Sequence, residues 1–241
     1  MRRILVTNDD GIESAGLHAL AVALVPLGEV IVFAPSREYS GAGAAIGHLS
    51  EGIADVHEVS RPELAAVAAA YTFDGPPALA SLLAVQGLFG PPPDVVVSGI
   101  NPGWNVGRAV HFSGTIGAVI TAEQLGVPAV AVSQHTGDVQ HWTTAATVAA
   151  RLVAELGPEP VGLNVNVPNV GLDEVAGTRW TTLSDRIPYR LNGPRLEPVA
   201  PGRHRVHFTR DGDYDRAPGT DTEAVESGFV SITRLRPTGA W

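Results

Sequence analysis

Two carboxylates stand side by side at Asp9 and Asp10, directly after the apolar run Ile4–Thr7 and before Gly11. Adjacent carboxylates repel, and burying them unpaired is costly. A hard divalent cation resolves the conflict, because Mg²⁺ and Mn²⁺ take oxygen from one or two carboxylates and complete their shell with neutral oxygens and water. Two further stretches supply such oxygens. Ser36-Arg37-Glu38-Tyr39-Ser40-Gly41 follows the run Val30–Ala34, and Asn101 lies in Ser98–Gly107 after the run Asp94–Ser98. The spacing therefore nominates Asp9, Asp10, Ser40 and Asn101 as ligands of one divalent cation, Mg²⁺ or Mn²⁺. Successive strand residues face opposite ways, so both Asp can meet one ion only after the chain has turned, and Gly11 permits that turn. The plainer alternative is that one Asp caps the following helix while the other is solvated.

Ser113-Gly114-Thr115 precedes a helical pattern over Ile116–Leu125. Hydroxyls, unpaired N–H groups and the positive end of a helix dipole make such a start a phosphate cradle. Ser113 acting as a simple N-cap is the commoner alternative. Asn105 and Gly41 join the phosphate-binding set, and Asn8 is grouped with Asp9 and Asp10 as catalytic. The glycine-rich stretch Gly41–Gly47 lacks G-x-G-x-x-G spacing and reads as an active-site loop rather than a dinucleotide fingerprint. His111 lies near the predicted site and is a candidate acid–base residue, although a lone His more often serves surface or packing. There is no G-x-S-x-G elbow and no H-E-x-x-H pair.

These groups need a scaffold that brings strand ends together. Continuously apolar runs at Ile4–Thr7, Val30–Ala34, Asp94–Ser98, Val127–Ser133 and Val161–Val167 alternate with helical patterns. The helices are marked by Leu17/Leu20/Ala21/Leu24, by Leu79/Leu82/Leu83, over Thr115–Leu125 and over His141–Leu156. That alternation predicts an α/β fold: a Rossmann-like, mostly parallel sheet with helices on both faces. Ligands of such sheets bind beyond the carboxyl ends of the strands. From Thr178 onward the chain is rich in Gly, Pro and Arg, with short apolar segments at Val206–Thr209 and Phe229–Leu235. The expected division is a catalytic core over 1–177 and a β-rich extension over 178–241.

Composition narrows the chemistry. The 241 residues include no Cys, which excludes disulfides, thiolate metal sites and cysteine nucleophiles. All 16 basic residues are Arg, so a Walker A lysine or a Schiff base is impossible. The net charge of −9 argues against duplex nucleic acid. Residues 1–178 carry 6 Arg against 17 acids, whereas 179–241 carry 10 Arg against 8; an acidic core that takes an anionic substrate needs a metal to receive it. The opening residues do not form a signal peptide, and the longest uncharged run, Gly75–Pro93, holds five Pro and cannot span a bilayer. The cytoplasm is the expected compartment.

The motifs together resemble the SurE family of survival-protein nucleotidases. The resemblance is carried by Ile4–Ile12, Ala34-Pro35 with Ser40-Gly41, Val97–Gly107, Ser113–Ala118, Leu163–Pro168, Pro218–Asp221 and Gly228–Thr233. It implies a metal-dependent 5′/3′-nucleotidase with broader phosphatase activity, a Rossmann-like core, and a C-terminal extension used in dimer or tetramer assembly. It also implies metal ligation by Asp9, Asp10, Ser40 and Asn101. The chain departs from the family pattern at three places. Phe112 replaces the usual Tyr, Gly75-Pro76-Pro77 with Leu79-Ala80 replaces Gly-Thr-Pro with an Asp-Cys pair, and Arg234 stands where Pro is usual. The expected reaction is hydrolysis of a nucleoside monophosphate by a water whose pKa the cation lowers. Two rivals remain: a haloacid-dehalogenase-type phosphatase, which wants D-x-D spacing and a Lys, and a non-catalytic nucleotide-binding protein on the same fold.

Overall fold

Residues 1–47, 54–187, 189–212 and 216–235 are described in a computed structural model. Strand alternation sorts the core into two layers. In β1 (Arg2–Thr7), Ile4 and Val6 join one apolar cluster and Leu5 the other. The first cluster lies under α1 (Ala15–Leu24) and α4 (Trp142–Glu155), which also pack on each other. The second lies under α2 (Pro77–Val85) and α3 (Gly114–Gln124), likewise in mutual contact. The stripe Leu17, Leu20, Leu24 is wholly buried, and each such side chain contributes about 1.5–3 kcal/mol through loss of water contact. Helices therefore cover both faces of the sheet.

The sheet has nine strands in the order β3-β4-β2-β1-β5-β6-β7-β11-β8. Its parallel centre comprises β4 (Ala69–Phe73), β2 (Gly28–Pro35), β1, β5 (Val95–Pro102), β6 (Ala129–Gln134) and β7 (Gly162–Val167). The short β3 (Val56–Glu58) pairs antiparallel with β4 at one edge. β11 (Val230–Leu235) runs antiparallel to β7 and parallel to β8 (Thr178–Thr181). The chain winds outward one way from β1 to β2 and the other way from β5 onward, so the strand order reverses between β1 and β5. In sheets of this kind ligands bind beyond the carboxyl ends of the strands where the order reverses.

The stretch after residue 177 divides in two. β8 and β11 belong to the main sheet, with β11 between β7 and β8, and α5 (Asp221–Glu226) packs against β11. β9 (Tyr189–Ala200) and β10 (Arg203–Gly212) pair only with each other, as an antiparallel hairpin. Among the described residues no helix is long and apolar enough to cross a membrane.

Candidate active site

The ends of β1, β2 and β5 and the loops after them carry Asn8, Asp9, Asp10, Ser40, Gly41, Asn101 and Asn105. β1 ends at Thr7, and the next four residues form a tight loop. Both polar atoms of the Asn8 side chain bind Gly11: Gly11 N–H donates to Oδ1 at 3.1 Å, and Nδ2 donates to Gly11 O at 3.0 Å. Gly11 has φ +97°, which L side chains rarely adopt. Asn8, expected among the catalytic groups, makes both of these bonds within the turn that presents Asp9 and Asp10. The helix-cap alternative for the aspartates also meets a direct answer, because Ser14 is the N-cap of α1 and accepts from Leu17 N–H.

Asp9 is 2% exposed. Thr115 Oγ1 donates to its Oδ1 at 2.5 Å, and the backbone N–H groups of Gly114 and Thr115 also reach its carboxylate. The start of α3 is therefore aimed at Asp9. The approach is close: a β-carbon at Gly114 would lie 2.8 Å from Asp9 Cβ and 2.9 Å from its Oδ2. Burial raises the Asp9 pKa above the usual carboxylate value, and the bonds from Thr115 and Gly114 offset part of that rise. Asp10 is pushed up to about 7, first by burial, then by the negative charges of Asp9 and Glu38. Its Oδ2 is buried without a hydrogen-bond partner among the described residues.

Loops from the neighbouring strands complete the rim. Tyr39 N–H donates to Asp9 O at 2.7 Å, which ties the β2 loop to the backbone of the Asp9–Asp10 turn; Ser40, the next residue, is exposed. Asn101, half-buried at the end of β5, donates from Nδ2 to Gly103 O at 2.6 Å and leaves Oδ1 as its acceptor. Gly41 is exposed with φ +84°. Ser113 caps α3, accepting from Ile116 N–H at 3.2 Å, which leaves its O–H free of a role in the cap. His111 and Phe112 lie exposed in the turn before the cap.

Asn105 sits in a buried polar network that sequence reasoning missed. Its N–H donates to Asn166 Oδ1 at 2.8 Å, its carbonyl accepts from Asn164 and Asn166, and its Nδ2 donates to Ser133 Oγ at 2.8 Å. The signal was present: two Asn at i and i+2 put polar groups on one face of an otherwise apolar strand. A second missed support is Asp221. Its carboxylate is fully buried and accepts from the backbone N–H of Gly107 at 2.8 Å, Ser184 at 2.9 Å and Thr222 at 2.9 Å. The C-terminal segment thereby holds the loop that leads to α3. Glu38, which adds its charge beside Asp10, was the third.

The donor set suits a hard cation. Asp9 and Asp10 offer two carboxylates raised by desolvation, one with an unpartnered buried oxygen, while Ser40 and Asn101 stand in the loop after β2 and at the end of β5. Among the described residues no three His, Asp or Glu side chains gather into a cage, so the neutral oxygens would complete the shell.

Residues 4–189 match the model of the family described as survival protein SurE. The chain belongs to the SurE family. It is 38% identical to the 5′/3′-nucleotidase SurE of Yersinia pseudotuberculosis, covering 98% of this chain and 90% of that protein. It is 37% identical to the 5′/3′-nucleotidase SurE of Klebsiella pneumoniae, covering 97% and 89%. Among solved structures, the SurE protein from Aquifex aeolicus superposes with TM-score 0.81 at 30% identity, covering 99% of this chain and 94% of that one. SurE membership implies dependence on a divalent metal ion. The matched span holds every nominated site residue, whereas the Asp221 support lies beyond it.

Proposed function

We propose that this chain is a 5′/3′-nucleotidase, a phosphatase that releases inorganic phosphate from nucleoside monophosphates. The observation that carries this reading is the adjacent carboxylates at the end of β1, Asp9 buried and Asp10 half-buried, with Asp10 Oδ2 buried and unpartnered among the described residues and the start of α3 pointed at Asp9. Asp9, Asp10, Ser40 and Asn101 would hold one Mg²⁺ or Mn²⁺. Bound there, the ion would supply Lewis acidity toward a phosphate oxygen and a water.

The chain's own groups do the positioning. Thr115 and the Gly114 and Thr115 amides orient Asp9, and Asn8 and Gly11 hold the turn. The Asn164/Asn166/Ser133 network fixes Asn105 before substrate arrives, and preorganised polar groups stabilise developing charge without reorganising. The haloacid-dehalogenase reading wants D-x-D spacing where Asp9 and Asp10 are adjacent, and a Lys, which the sequence lacks. A non-catalytic binder is not favoured beside relatives named as nucleotidases over nearly the whole chain. The cytoplasm as compartment and a homodimer or homotetramer as assembly belong to the same proposal.

Phosphate release from a panel of nucleoside monophosphates tests the activity. Release should require Mn²⁺ or Mg²⁺, stop in EDTA and return when metal is restored. Full turnover in metal-free protein, or none with any metal, would refute the reading.

A further inference from the structure

Asp221 is a fully buried carboxylate outside the nominated ligand set. Burying a charge is costly unless bonds replace the lost water. Three backbone N–H groups do so here: Gly107 donates to Oδ2 at 2.8 Å, and Ser184 and Thr222 each donate to Oδ1 at 2.9 Å. Helix capping does not account for the arrangement. Thr220 is the N-cap of α5 and accepts from Glu223 N–H, whereas the Gly107 and Ser184 bonds reach 114 and 37 residues along the chain. The carboxylate is itself anchored, because Asp221 N–H donates to Thr182 O at 2.9 Å and Thr182 N–H donates to Gly219 O at 3.1 Å.

Gly107 stands between two parts of the site. Asn105 lies two residues before it, bonded to Asn164, Asn166 and Ser133. After it, the turn Gly107–Phe112 runs into the start of α3, whose amides address Asp9. The loop is also pressed against the segment after β8. A β-carbon at Gly107 would lie 2.3 Å from Arg186 O, its φ is +55°, and Arg108 N–H donates to Arg186 O at 3.0 Å. A chain spans at most about 3.3–3.6 Å per residue, so a shift at Gly107 is passed on to Asn105.

We propose that Asp221 is a positioning residue for phosphate release: by fixing Gly107 it sets Asn105 and the start of α3 in place for the reaction. It acts through the loop and not on the reacting atoms. The inference rests on the nucleotidase reading, and its test separates the two.

Asp221→Asn is the informative change, since the amide keeps the size of the carboxyl but has a single acceptor oxygen. With that oxygen on Ser184 and Thr222, its NH₂ group meets Gly107 N–H, donor against donor, and the tie to the loop is lost. Calorimetry should find Mn²⁺ bound by the folded variant at wild-type stoichiometry and affinity. Its kcat per bound Mn²⁺ on a nucleoside monophosphate should fall on the order of 10²-fold, the cost of a misplacement near 1 Å. KM should stay within about threefold, because ground-state binding is kept. Orthovanadate, a transition-state analogue, should bind the Mn²⁺-loaded variant about tenfold more weakly or worse. A merely structural role would lower the melting temperature and the number of Mn²⁺ sites while leaving kcat per site intact, and that result would overturn the proposal. If the variant does not fold, Gly107→Ala disturbs the same contact from the loop side, and wild-type kcat per site there would overturn it equally. If the wild-type protein releases no phosphate with any metal, the nucleotidase reading falls and orthovanadate decides alone. Weaker binding by Asp221→Asn then keeps the positioning role, and equal binding removes it.

Discussion

Asp10 carries the sharpest consequence at the scale of single residues. Its pKa of about 7 in the metal-free fold lies above the ordinary 3.8. A carboxyl whose folded pKa is raised binds its proton more tightly in the native state. That contribution is fully present below about pH 4 and is lost as pH climbs through about 7. EDTA-treated protein should therefore lose melting temperature between these limits. Asp10→Asn removes the group and should flatten, not abolish, the slope, because Asp9 and Asp221 are also raised by burial. Above pH 7 the variant should melt higher than wild type, by about 2–4 °C for each kcal/mol of relieved repulsion. Its phosphatase activity should fall on the order of 10²–10³-fold. Thermal melts at pH 5 and pH 8 with parallel turnover assays decide this; equal slopes, or near-wild-type turnover, would remove Asp10 from the site.

At the scale of elements, the start of α3 is the part that must be placed most closely. A methyl at Gly114 collides with Asp9 Cβ and Oδ2, so Gly114→Ala must push the helix or the carboxylate aside. Displacements near 1 Å cost about 10²-fold in rate, whereas Ala inside a helix favours the fold. Turnover should drop steeply with little change in melting temperature, and a fully active variant would show that the contact yields. None of this was legible in Ser113-Gly114-Thr115. The residue types announced a helix start with hydroxyls, but its target depends on packing between α3 and β1. Elsewhere legibility followed burial. β1, β2, β5, β6 and β7 read clearly because both faces are covered and their runs are continuously apolar. β4 was missed because Ala69-Ala70-Tyr71-Thr72-Phe73 alternates in burial and Ala is common throughout. Asp9, Asp10, Ser40 and Asn101 were nominated by residue type at strand ends. The Asn164/Asn166 support for Asn105 lies some sixty residues away in sequence, beyond any local pattern.

For the whole molecule, the β9–β10 hairpin is the feature that looks outward. Two-stranded hairpins are at best marginal alone in water, yet Leu196 is 67% exposed and Phe208 56%. Leu196 is paired in register with Val206, also exposed, so both lie on one face. A second copy of the chain is the proposed cover for that face. Light scattering should report a dimer or larger at micromolar concentration, and Leu196→Asp with Phe208→Asp should yield a folded monomer. A wild-type monomer would refute this assembly. The buried Asp221 carries a different consequence, one of timing. During synthesis, all four nominated metal ligands emerge within the first 101 residues. The carboxylate that ties Gly107 and Ser184 comes more than a hundred residues later, and β11, which joins β7 to β8, later still. Nascent chains fold as their segments emerge, so the early α/β layers can form on the ribosome while the loop leading to α3 still lacks its tether. The complete site is then a property of the nearly finished chain, and a product truncated before Asp221 would carry every ligand without the loop geometry that surrounds them.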